Sequence, residues 1–162
     1  MKTITIPGMK QKSNKSKLFF VLIISTLSLS SGYHVKQKDK ILGNWLLPDN
    51  LEIEIFKKGD KYFGKITDVY GFNDGQEKDI HNPDKSKRND QLVGKIIISG
   101  LQYDHQSGEW INGTIYAPQK GLTLDLTVIK INGKTLEAKG SKLFFSKKIT
   151  WERIITKRLN KD

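Results

Sequence analysis

In Leu122-Thr123-Leu124-Asp125-Leu126-Thr127-Val128 every second residue is apolar, and the same period of two runs through Leu51-Glu52-Ile53-Glu54-Ile55. Successive side chains of a strand point to opposite faces, so this period describes a strand with one buried side. An amphipathic helix would repeat its apolar residues every three or four positions. From Ile41 onward the helical period is nearly absent. The core of this chain therefore has to be built from a sheet.

Turn residues divide the alternation into short pieces. Lys58-Gly59-Asp60-Lys61 separates Leu51–Phe56 from Tyr62–Val69, which makes a hairpin. Further strands are expected at Leu92–Leu101, Gly108–Ala117, Leu122–Ile131, Thr135–Lys139 and Leu143–Ile155, each bounded by glycine, asparagine or proline. Asn132-Gly133 reads as the central pair of a two-residue hairpin turn with positive φ. A meander of this kind exposes two edges unless the sheet closes on itself. The expected fold is all-β, a single antiparallel up-and-down β-barrel of about eight strands, with an interior that is either filled or holds one small ligand.

The start of the chain has a different composition. Lys10, Lys12, Lys15 and Lys17 precede the apolar run 18–24, and small residues follow at Ser28, Ser30, Ser31 and Gly32. That is the layout of a secretory signal over residues 1–32, cut near Gly32/Tyr33. Residues 33–162 then form the domain, and a chain of about that length buries close to two-thirds of its unfolded surface. The absence of cysteine excludes a lipid-modified cysteine and any disulfide, so the exported protein is not expected to be a lipoprotein. It is expected in the periplasm or outside the cell.

The formal charge of +11 also changes on processing. Removing a segment with five lysines and no acids leaves 23 basic against 17 acidic residues, or +6. The remaining cations form no aromatic-interleaved stripe, which argues against nucleic acid and for a solvated surface near an anionic envelope. The possible partners are a small hydrophobic or amphipathic ligand, an envelope protein, or an anionic membrane surface. No cofactor is indicated. His34, His81 and His105 lack the spacing of a metal site, and no metal ligand set is assigned.

Gly43-Asn44-Trp45 stands near one end of the chain and Trp151-Glu152-Arg153 near the other. In lipocalin-like barrels a Gly-x-Trp on the first strand packs under an arginine of the last, so Trp45 and Arg153 resemble a structural latch that shuts one end. Other motifs follow in order: Gly64-Lys65-Ile66, Asp79-x-x-Asn82-Pro83-Asp84, Leu92-x-Gly94, Trp110-x-x-Gly113-x-Ile115-Tyr116-x-Pro118, Leu136 and Gly140. With the two tryptophan motifs they resemble the bacterial domain-of-unknown-function family 2147 (DUF2147) across nearly all of residues 33–162. Ala117, where relatives usually place aspartate, and Phe63, where many carry cysteine, depart from the pattern. The resemblance implies an exported lipocalin/calycin-like barrel and carries no activity with it.

The stretch 78–94 is the least sheet-like. Asn82-Pro83 biases the backbone towards a shaped loop, and Asn82 is placed to cap a short helical turn that starts at Pro83. As ligand contacts at a barrel mouth, the candidates are Asp79, Asn82 and Asp84, together with Trp110 and Tyr116, which lie six residues apart and are expected on one face of a strand. No catalytic residue is assigned, because no nucleophile and base are tied together. Three functions stay open: a binding module for a small apolar or amphipathic molecule, an interaction barrel with a filled core, and an enzyme working through Asp79 or Asp84.

Overall fold

The computed structural model describes residues 36–155 and the single positions 3 and 8. The segment expected to be a signal, its cleavage point beside Tyr33, His34 and the basic run 157–161 fall outside that stretch.

Eight strands follow one another: β1 (Gly43–Leu46), β2 (Glu52–Lys58), β3 (Lys61–Asp68), β4 (Ile96–Tyr103), β5 (Trp110–Ala117), β6 (Leu122–Ile131), β7 (Thr135–Lys142) and β8 (Phe145–Arg153). Each pairs antiparallel with the next, and β8 returns to β1 through Trp45 opposite Arg153, so the sheet is a closed up-and-down barrel. The alternation does what its period requires. Ile53 and Ile55 of β2, Tyr62 and Ile66 of β3, Leu126 and Val128 of β6, and Leu136 and Ala138 of β7 are all buried. Between them Glu54 and Lys65, directly opposite across β2 and β3, form an ion pair of 2.8 Å on the wet face.

Three local expectations change. In β5, Asn112 takes φ +60° and the register with β6 shifts between Trp110 and Gly113. This bulge inserts one extra residue, so Gly113 and Ile115 join Trp110 on the buried side and Tyr116 turns to the opposite face. Trp110 and Tyr116 therefore do not share a face. In the β6–β7 hairpin, Gly133 and Lys134 are the central pair, and only Gly133 has positive φ, +88°. Asn132 precedes them and its Oδ1 accepts from the Thr135 amide at 3.0 Å and hydroxyl at 2.6 Å. Glycine at the first central position is the type II′ arrangement rather than type I′. Finally, Leu92 and Gly94 belong to the β3–β4 connection, and β4 begins only at Ile96.

One end of the barrel is shut by a short 3-10 helix, Gln37–Ile41. Its carbonyls accept from the two indoles nearest them: Trp45 Nε1 donates to Ile41 O at 2.8 Å and Trp110 Nε1 to Lys38 O at 2.9 Å. Tyr62 donates to Asp39 Oδ1 at 3.1 Å. The Arg153 guanidinium lies 4.1 Å over the Trp45 ring and donates to the carbonyls of Lys40, Leu42 and Gly133.

Candidate functional site

Side-chain size falls along the barrel. The three tryptophans, Trp45, Trp110 and Trp151, are all buried, and two of them are bonded to the helix that closes the first end. Towards the other end the inward positions of β7 read Leu136, Ala138, Gly140, and those of β5 read Ile115 and Ala117. Small residues there leave space that the tryptophans fill at the closed end.

The space is a cavity of about 320 Å³. Leu47, Leu51, Ile115, Leu124, Leu126 and Ile149 make it mainly apolar. Its volume lies at the lower edge of the range for small-molecule pockets, about 300 to 1,000 Å³. Polar groups gather at its rim: Asp49, Gln119, Lys120 and Lys147. Gln119 Nε2 donates to Asp49 Oδ2 at 3.1 Å, while Asp49 Oδ1 is buried with no donor among the described residues. Burial pushes the Asp49 carboxyl above its ordinary value. A buried acceptor without a donor is costly, and a ligand hydroxyl or N–H would relieve it.

The β3–β4 connection lies beside this end and is organised around Asp79, which is 0% exposed. Its Oδ1 accepts from the Tyr116 hydroxyl at 2.7 Å, and its Oδ2 from Asn82 Nδ2 at 2.6 Å and Lys95 Nζ at 2.8 Å. Desolvation alone would raise this carboxyl, but the bonds from Lys95, Tyr116 and Asn82 outweigh it and hold Asp79 below the usual carboxylate value. Tyr116 moves upward, through desolvation and its bond to the same carboxylate. A carboxylate held ionised next to a phenol held neutral is poised to stay as it is, not to exchange protons near neutral pH.

The remaining contacts also shape the loop. Asn82 Oδ1 accepts from the Asp84 amide at 2.9 Å, and Arg88 Nε donates to Asn82 O at 2.9 Å. Asp84, not Asn82, caps the short 3-10 helix Lys85–Lys87, accepting from the Ser86 amide at 3.0 Å and hydroxyl at 2.7 Å. The loop is seated against the β5–β6 turn, where Gly121 has φ +60° and any Cβ would collide with the His81 carbonyl.

The structure thus brings Asp79, Asn82 and Tyr116 together, with Lys95, which sequence reasoning did not single out. Both Asp79 oxygens are engaged within the protein. Asp84 is exposed on the loop, and Tyr116 borders the cavity, whereas Trp110 sits at the closed end. His81 is exposed, and His105 stacks edge-on against Tyr103 at 5.0 Å. Among the described residues no three His, Asp or Glu side chains are grouped as ligands for a metal ion. Asp49, Gln119 and Lys147 were not anticipated. A Pro-Asp-Asn run such as 48–50 carries the ordinary signature of a turn, and only closure of the barrel puts Gln119 against it.

Comparison with known proteins places this geometry in a family. The model described as "Uncharacterized protein conserved in bacteria (DUF2147)" matches residues 43–153, from the first residue of β1 to the last of β8, and the chain belongs to that family. Its fold is similar to that of HP1028 from the human pathogen Helicobacter pylori, a protein described as belonging to the lipocalin family. The two share 21% identity over 72% of this chain and 84% of the other, with a TM-score of 0.62. None of the curated proteins compared matches the chain.

Proposed function

We propose that this DUF2147 member is an exported envelope protein that holds a small apolar or amphipathic molecule in the open end of its barrel. The apolar cavity of about 320 Å³ carries this reading. An apolar tail would lie against Leu124, Leu126 and Ile149, and a polar head would meet Asp49, Gln119 and Lys147 at the rim. Export is supported by the lysine-rich segment that precedes the apolar run 18–24. The lipocalin-family neighbour supports the fold on which such binding is built.

Native mass spectrometry of the protein recovered from its own envelope, before and after denaturation, tests the proposal. A reproducible extra mass is expected, lost on denaturing and absent from Leu124→Trp, whose indole would occupy the cavity. A bare mass for the wild type, persisting after incubation with envelope lipid extract, refutes cavity binding. So does an extra mass that Leu124→Trp retains.

A further inference from the structure

The β7–β8 hairpin ends in Leu143 and Phe144, which are 91% and 105% exposed, and Phe145 beside them is 61% exposed. Single exposed apolar residues are ordinary, but three in succession at the tip of a projecting turn are not. The backbone adds a second anomaly. The two strands are joined through a two-residue connection, and Leu143 takes φ +51° there. Two-residue hairpins normally give that conformation to glycine, asparagine or aspartate, because a larger side chain meets the following carbonyl. The chain thus carries a steric penalty in order to present two apolar side chains to the outside.

The charges within the tip segment itself have one sign, although Asp49 shares the rim with Lys147. Residues 139–148 contain four lysines, Lys139, Lys142, Lys147 and Lys148, and no acidic residue. Lys139 and Lys148 are direct cross-strand neighbours, a like-charge pairing that a sheet ordinarily avoids. Lys148 is paired with Glu137 at 3.0 Å, while Lys142 and Lys147 have no ion-pair partner among the described residues. Lys120, also exposed, stands across the mouth, and the nearest acid on the outer face of the adjoining strand is Asp125, opposite Ser141.

We infer that this tip docks the barrel on an anionic lipid bilayer. Leu143 and Phe144 enter the boundary between headgroups and acyl chains, and the lysines lie among the anionic headgroups. Aromatic and leucine side chains flanked by lysine are the composition that binds in that zone. A projecting two-residue tip also presents far less area than a stable protein interface needs, about 800 Å² per partner. Because Phe145 and Lys147 also line the cavity, docking would turn its mouth towards the membrane. The inference does not depend on the cavity being filled.

The absence of cysteine allows the tip to be tested directly in the exported protein, recovered after removal of its leader. Ser146→Cys places a single environment-sensitive fluorophore beside an intact tip, and Asp60→Cys places one in the β2–β3 turn at the opposite end. With vesicles of phosphatidylcholine and phosphatidylglycerol in equal parts, the Ser146 label should shift to the blue and be quenched by a brominated acyl chain, while the Asp60 label should do neither. Adding Leu143→Ser and Phe144→Ser should abolish the response, and Lys142→Ala or Lys147→Ala should each weaken vesicle affinity about fivefold. Three results overturn the inference: a Ser146 label that stays solvated on sedimented vesicles, equal quenching at both positions, or a blue shift without vesicles that grows with protein concentration. The last would assign the tip to a second copy of the chain.

Discussion

Replacing Arg153 by alanine should lower stability by releasing three parts of the closed end at once. The guanidinium donates to Lys40 O at 2.6 Å, Leu42 O at 2.9 Å and Gly133 O at 2.7 Å, so one side chain ties the 3-10 helix, the start of β1 and the β6–β7 turn. The bond to Leu42 is partly buried and contributes about 1.5 kcal/mol, whereas water can replace the two exposed bonds, which contribute roughly 0.5 kcal/mol each. The stack over Trp45 adds about 1 kcal/mol. The total is about 3 to 4 kcal/mol, which for a barrel of this size corresponds to a fall of roughly 10 to 15 °C in the thermal midpoint. Thermal unfolding followed by circular dichroism measures it. Arg153→Lys should fall between the two, because an ammonium keeps the charge but cannot reach three carbonyls in one plane. A midpoint for Arg153→Ala within about 2 °C of the wild type would refute the reasoning.

Asp79→Asn should cost about 2 to 3 kcal/mol in denaturant unfolding, less than the roughly 3 to 5 of a fully buried pair because Lys95 keeps some solvent. Since the folded Asp79 carboxyl sits below its ordinary value, its contribution is present above the normal carboxylate range and is lost as pH falls through the folded value. A mutant whose acid unfolding profile matches the wild type would contradict this. Asp49 has the opposite sign: burial raises it, so its ionisation opposes folding and protonation relieves the cost. Asp49→Asn should accordingly leave stability at neutral pH unchanged or slightly higher, and a loss above about 1 kcal/mol would show that the ionised form is needed structurally. Gly121→Ala meets both the His81 carbonyl and a positive φ, and should destabilise by about 2 kcal/mol or more while loosening proteolytic protection of residues 78–94. Unchanged protease resistance would mean that the loop is not held through that turn.

The strands were legible because strand geometry is local. Leu122–Val128 alternates, its side chains must separate onto two faces, and one face must be buried whatever surrounds it. Closure followed from the same pattern together with the cost of open edges, and the family motifs agree with it. A bulge is less visible, since one residue at positive φ, Asn112, reverses the facing of everything after it without altering composition. That is why Tyr116 left the face of Trp110 and joined Asp79 instead. The loop stretch 78–94 gave its shape away through Asn82-Pro83-Asp84, but not that Asp79 would be sealed under Tyr116 and Lys95, residues from β5 and the approach to β4.

The cavity and its rim belong to the tertiary level for a related reason. Gly140 and Ala117 are small in the sequence, yet whether small residues leave a hole depends on what faces them across the barrel, and there Leu124, Ile149 and Leu51 stop short of one another. Asp49 and Gln119 are far apart in the chain and meet only because the barrel closes. Alternation along the chain is enough to specify a closed β-barrel carrying tryptophans, and Asn82-Pro83-Asp84 is enough to specify a shaped loop. Which end is plugged and which is open is settled only once the strands pack, because burial and register belong to the assembled sheet and not to any one strand.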